Sequence, residues 1–141
     1  MAGYSSTPLP RKLGIKPGHA VALLGAPPCF HGALAAPGVF VTFGLASGAP
    51  LDVIVNFVRW RDDLAADLPV LRCHMAPACG LWIAWPKRAA NIATDMTEHT
   101  VREIALPTGL VDNKVCAIDG TWSALRLVIR RELRPRLGGA S

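Results

Sequence analysis

The sequence predicts an α/β fold, a three-layer sandwich built on a mainly parallel sheet with a C-terminal antiparallel hairpin. Three observations predict it. Short, continuously apolar runs bounded by proline and glycine alternate with segments of helical period. The last two β-rich runs are joined by Asp119-Gly120, the strongest hairpin signal in the chain. The 141 residues are 51% hydrophobic and 18% charged, which suits one buried core and is too apolar for disorder.

The elements follow in order. His19 to Leu24 is continuously apolar after the turn-like Lys16-Pro17-Gly18 and stops at Gly25-Ala26-Pro27-Pro28, which fits a strand buried on both faces. Phe30 to Ala35 is read as a short helix. Val39 to Phe43, β-branched and aromatic, is a second strand. Leu51 to Val58 is the strongest strand.

A helix is expected over about 61–76, because Leu64, Leu68, Leu71 and Met75 share one helical face. Asp62 and Asp63 suit the positive end of its dipole. Pro69 predicts a kink or two shorter pieces. Pro77-Ala78-Cys79-Gly80 is read as a turn, and Leu81 to Trp85 as a buried strand closed by Pro86.

The next helix has Thr97 as its N-cap, with Met96 and Val101 placed to form a hydrophobic staple. Pro107 and Gly109 end it. Val111 to Ile118 and Trp122 to Arg131 are the two strands of the hairpin. Residues 1–12 are expected to form an N-terminal arm, 13–132 a single domain, and 133–141 a basic, disordered tail.

The net charge of +5 belongs to the ends. Residues 1–18 carry +3 and residues 122–141 carry +4, while 19–121 hold 7 basic and 9 acidic residues. A nucleic-acid-binding domain would carry a basic face with polar or aromatic residues beside it, so nucleic acid is not the expected partner. The stretch from Pro17 to Leu51 has no Asp, Glu, Lys or Arg. Prolines and glycines cut it too often for a spanning helix of ~20 residues, so no membrane span is expected. The first residues lack a basic segment followed by an apolar one, which places the protein in the cytoplasm.

The four cysteines, Cys29, Cys73, Cys79 and Cys116, form no C-x-x-C and are expected to stay reduced. Cys73, His74 and Cys79 are too few for a structural zinc site, so no metal is expected. No nucleophile elbow, Walker loop or H-E-x-x-H is present, and no catalytic residue is assigned.

The order of elements resembles the class I S-adenosylmethionine-dependent methyltransferases, a Rossmann-like fold. Leu51 to Phe57 is similar to that family's "fDvvi" strand. Met75-Ala76-Pro77-Ala78-Cys79-Gly80-Leu81 is similar to its "L-x-P-G-G-x-L" turn and strand, and Gly109-Leu110-Val111 to its last helix-to-strand turn. The resemblance implies a cofactor held by three features: a G-x-G-x-G turn after the first strand, an acidic residue ending the second, and a polar residue that reads adenine. Here the first turn is Gly25-Ala26-Pro27-Pro28-Cys29, with one glycine and two prolines that lack N–H donors. The second strand ends at Phe43-Gly44 without a carboxylate. Only about seven residues separate Phe43 from Leu51, fewer than the ~10–12 a crossover needs. No cofactor is therefore expected.

A second resemblance covers about residues 3–132. Leu13-Gly14-Ile15-Lys16-Pro17-Gly18, Leu23-Leu24-Gly25-Ala26-Pro27, Leu81 to Lys87, Thr94-Asp95-Met96-Thr97-Glu98 and Gly109 to Leu125 are similar to a family of short bacterial proteins described as a domain of unknown function. It implies no activity. Cys29, Cys73 and Cys79 depart from its pattern.

In open α/β sheets a ligand site lies at the carboxyl ends of parallel strands, near the point where strand order reverses. Candidate ligand-binding residues there are Gly25, Pro27, Arg59, Lys87, Arg88 and Asp95, a cationic edge suited to phosphate or carboxylate; the alternative is that Lys87 and Arg88 solvate a loop and Asp95 helps cap a helix. Lys114, Asp119, Trp122 and Ser123 form a second candidate patch around the hairpin. The leading expectation is a non-catalytic Rossmann-like protein that binds a protein partner or a small ligand. The alternatives are an enzyme or sensor for an anionic small molecule at the strand ends, a divergent S-adenosylmethionine-dependent methyltransferase, and a homodimer built on the sheet edge or hairpin.

Overall fold

The structure, a computed structural model, describes residues 8–45 and 50–134. Among the described residues six strands form one sheet in the order β2-β1-β3-β4-β6-β5. They are β1 Ala20–Leu24, β2 Phe40–Thr42, β3 Leu51–Phe57, β4 Met75–Pro86, β5 Leu110–Ala117 and β6 Trp122–Ile129. β1, β2, β3 and β4 run parallel, and the β5–β6 hairpin pairs antiparallel with β4 through β6. The mostly parallel α/β sheet with its terminal hairpin is the predicted architecture.

Two cores form because the strands bury both faces. On one face, Leu64, Leu68 and Leu71 of helix α2 (Arg61–Cys73) and Val101 and Ala105 of helix α3 (Glu98–Ala105) pack on Ile54, Leu81, Ile83 and Leu125. On the other, Leu13, Ile15, Phe30 and Leu34 pack on Val21, Val55, Phe57 and Trp82. That second layer is not helical in the expected way. Phe30 to Ala35 forms no α-helix; a single 3-10 turn spans Pro28–Phe30, and Leu34 enters the core from the turn after it. The backbone bonds that follow each span three residues, from Ala33 N–H to the Phe30 carbonyl and from Ala35 N–H to the Gly32 carbonyl, and Gly32 and Pro37 bound too short a run for an α-helix. A four-residue helix, α1 (Leu9–Lys12), lies within the expected arm. The Trp82 indole N–H, fully buried, donates to the Leu13 carbonyl at 3.1 Å and ties the segment after α1 to the sheet. The rest of the arm, residues 1–7, and nearly all of the expected tail, 135–141, lie outside the described residues.

Two local expectations are corrected and a third is narrowed. Helix α2 stops at Cys73, and Met75 opens β4, where it pairs with Leu51. Its side chain is buried in either case, so the helical spacing alone could not separate the two. Pro77 to Gly80 is not a turn between elements. It lies inside β4, where the register steps from Leu51↔Met75 to Val53↔Gly80, so residues 76–79 bulge opposite Asp52. Of the kink or division expected at Pro69, division does not occur: α2 is one helix from Arg61 to Cys73. Ala65, whose carbonyl loses its helical partner to Pro69, is exposed, as is Pro69, so water can satisfy the carbonyl.

The start of α3 is as predicted. Thr97 Oγ1 accepts from Thr100 N–H at 3.1 Å, and Met96 and Val101 are both buried in one cluster. At the hairpin, Asp119 Oδ1 accepts from the N–H groups of Thr121 and Trp122, each at 2.8 Å.

Candidate functional site

The chain leaves β1 toward β2 on one side, and the next strand, β3, lies on β1's other side. Strand order therefore reverses between β1 and β3, and the carboxyl ends of these two strands diverge around a crevice. A cleft of about 420 Å³ lies there, lined by Gly25 after β1, Phe57 at the end of β3 and Val58 to Trp60 after it, Asp63 and Asp67 of α2, and Trp122.

Gly25 is fixed by geometry. Its φ is +65°, and a Cβ would stand 2.7 Å from the Phe57 carbonyl oxygen. The chain can turn out of β1 this close to the end of β3 only where no side chain intervenes. Phe57 forms the floor of the cleft. Its ring meets Trp122 edge-on, with centroids 4.9 Å apart, and Phe30 at 5.1 Å. Trp60 stands 41% exposed at the rim, and the Arg59 guanidinium lies 5.4 Å from the centre of its ring. Asp63 and Asp67 are one helical turn apart and share a face of α2.

The rim is braced by the loop before α3. Arg59 Nε donates to the Ala93 carbonyl at 3.0 Å, and Thr94 Oγ1 donates to the Arg59 carbonyl at 2.6 Å. Asp95 Oδ1 accepts from the Arg61 N–H at 2.7 Å, in the first turn of α2. Asn56, the residue before Phe57, is 5% exposed, and its Nδ2 has no hydrogen-bond partner.

The six residues of the first candidate set are thus divided. Gly25 and Arg59 line the β1–β3 cleft. Arg88 and Asp95 line a second cavity of about 490 Å³ between the end of β4 and the start of α3, with Trp85, Thr94 and Glu98. Lys87 is held at its backbone, where its N–H donates to the Thr121 carbonyl at 2.7 Å. Pro27 precedes the 3-10 turn. The hairpin patch is divided as well. Trp122 is buried against Phe57, Asp119 shapes the turn, and Ser123 pairs with Ala117 and Trp85. Lys114 pairs with Arg126, three residues (~10 Å) further along the sheet from Ser123.

The sequence places Trp60 at the end of β3 beside Arg59 without marking it as a candidate, and it does not mark Asp63 and Asp67 as lining residues. Asp63 was visible only as a charge suited to the helix dipole, although the Asp63/Asp67 spacing marks a shared face. Among the described residues no group of three or more His, Cys, Asp or Glu is placed to hold a metal ion. Burial, with the nearby Asp52 carboxylate, pushes the Cys79 thiol up to about 12, and burial also raises Cys116. Neither has the lowered pKa of a reactive thiol. No described helix is long and apolar enough to cross a membrane.

No family model and no curated protein matches the chain. Solved structures do. A SAM-dependent methyltransferase from Aquifex aeolicus aligns with a TM-score of 0.63 at 13% identity, over 84% of this chain and 87% of that one. Magnesium protoporphyrin IX methyltransferase from Synechocystis PCC 6803, solved with bound SAM, aligns at 0.58 and 13% identity, over 80% and 71%. A TehB-like SAM-dependent methyltransferase from Corynebacterium glutamicum aligns at 0.56 and 10% identity, over 92% and 91%. At these identities the likeness concerns the fold alone: the chain has a Rossmann-like α/β fold similar to that of these methyltransferases.

Proposed function

We propose that the protein is a divergent methyltransferase that binds an S-adenosyl sulfonium compound in the β1–β3 cleft. One observation carries the reading. The cleft at the strand-order reversal has a glycine at its narrowest backbone approach and combines carboxylates, a guanidinium and exposed aromatic surface within about 420 Å³. That volume lies in the range of small-molecule sites, ~300–1,000 Å³. The methyltransferase neighbours support this over a non-catalytic role.

The residues present fit such a group in a particular way. Asp63 and Asp67 would attract a sulfonium or ammonium cation, Arg59 a carboxylate, and Trp60 a flat ring. Gly25 keeps the backbone close to the end of β3. Bound there, the cofactor would supply an electrophilic methyl group. Two features of the familiar cofactor site are replaced. Pro27 and Pro28 remove N–H donors from the first turn, and β2 ends at Thr42 without a carboxylate. The carboxylates of α2 take over the acidic role.

Isothermal titration of the full chain with S-adenosylmethionine and S-adenosylhomocysteine tests the reading. Micromolar binding of either is expected, weakened about tenfold in Asp67→Ala by loss of a charged contact. No heat of binding up to millimolar ligand refutes it.

A further inference from the structure

A third cavity, of about 270 Å³, lies on the sheet face opposite α2 and α3. Four cations line it: Arg11 and Lys12 of α1, Lys114 of β5 and Arg126 of β6. No carboxylate lines it. Among the described residues no ion pair joins any of the four to an acid. Its floor is the edge of Trp82.

The sequence spreads these residues over more than a hundred positions, and three devices gather them. The Trp82 indole holds the Leu13 carbonyl, which pins the end of α1 over β4. Lys12 Nζ donates to the Ala117 carbonyl of β5, which draws α1 toward the hairpin. The third device is a bulge in β5. Asp112 pairs with Leu127 and Lys114 with Arg126, so Asn113 is an extra residue in the strand. Asp112 points to the α3 face, where its Oδ2 accepts from Arg102 Nε at 2.9 Å. Without the bulge, alternation would send Lys114 to that same face. With it, both Asn113 and Lys114 line the cavity, and Lys114 lies in line across the sheet with Arg126 and Trp82. Arg126 is half-buried over Gly80, where a Cβ would fall 2.6 Å from its Nε. Glycine at that position leaves room for the guanidinium to lie against the strand.

Four like charges around one small cavity repel one another unless an anion joins them. We propose that this cavity is a binding site for a small phosphorylated molecule, a phosphate monoester or diphosphate, with Lys114 and Arg126 as its principal contacts and the Asn113 amide as an additional donor. A guanidinium fork beside an ammonium group is the donor set that recognises such an oxyanion. The site is separate from the β1–β3 cleft, and no residue lines both.

The test is isothermal titration of the full chain with inorganic pyrophosphate at constant ionic strength. Sub-millimolar binding is expected, weakened about tenfold or more by Lys114→Gln and by Arg126→Gln, as for a lost charge-assisted bond. Lys114 is exposed, so its variant should fold even if Arg126→Gln does not. Lys16→Gln removes an exposed cation outside the cavity and should leave affinity within about twofold, as expected for a screened surface charge. An equal effect of Lys16→Gln and Lys114→Gln would mean general charge attraction and overturn the site. So would wild-type affinity in Lys114→Gln, or no pyrophosphate binding at all.

Discussion

The Arg61 N–H donates to Asp95 Oδ1 at 2.7 Å, across 34 positions of sequence. A carboxylate from the loop before α3 thereby caps the first turn of α2, whose own N-cap residue, Trp60, offers no side-chain acceptor. Asp95→Ala should lower stability by about 1 kcal/mol, the usual cost of a lost cap. Urea denaturation measures it. An unchanged midpoint would free Asp95 for the ligand role its sequence position suggested.

Gly25 and Gly14 both have left-handed backbone, φ +65° and +77°. They differ in surroundings: a Cβ at Gly25 meets the Phe57 carbonyl oxygen, while one at Gly14 meets nothing within 4 Å. Gly14→Ala should cost about 1 kcal/mol from conformation alone. Gly25→Ala should cost clearly more, because the end of β3 must move. Thermal melts of the two variants isolate the steric part, and equal losses would show that the approach to Phe57 is slack.

The thiols should separate by burial. Cys29 and Cys73 are exposed, and a disulfide-exchange reagent at pH 8 should modify them first. Cys79, with a pKa pushed up to about 12 by burial, should react only on unfolding. The same shift gives a pH dependence. The folded thiol holds its proton more tightly than an unfolded one, whose ordinary value is 9.0. The contribution of Cys79 is therefore fully present below pH 9 and is lost as pH rises from about 9 toward 12. Cys79→Ala should flatten that alkaline limb of the stability curve.

Trp82→Phe keeps most of the buried ring but removes the N–H that holds the Leu13 carbonyl. The orphaned carbonyl should cost about 1–3 kcal/mol. Amide exchange should quicken from Leu13 to Ile15 more than in α2, whose core lies on the other face of the sheet.

Much of the fold was legible because its signals are local. Leu51 to Phe57 could only be a buried strand, Thr97 announced a helix, and Asp119-Gly120 a hairpin. The bulge at 76–79 was not legible, since it is defined by register against Asp52 rather than by the composition of Pro77 to Gly80. Nor was the end of α2, because Met75 is buried equally well as helix or strand. The site was half legible. Topology placed Gly25 and Arg59 at the strand ends. A capping role for Asp95 could be read from the sequence, but not that the helix it caps is α2, 34 positions away, nor that Arg88 lies in a neighbouring cavity. Lys12, Lys114 and Arg126 are distant in sequence, and their convergence depends on one extra residue in β5.

The central claim is that ligand binds where β1 and β3 part. Hydrogen–deuterium exchange of the full chain, with and without saturating S-adenosylmethionine, tests it most directly. Protection is expected to concentrate at Gly25 to Ala26 and at Val58 to Asp67, with residues 11–14 and 113–114 unchanged. Protection confined to the cavity beside α3, or no protection anywhere, would contradict it.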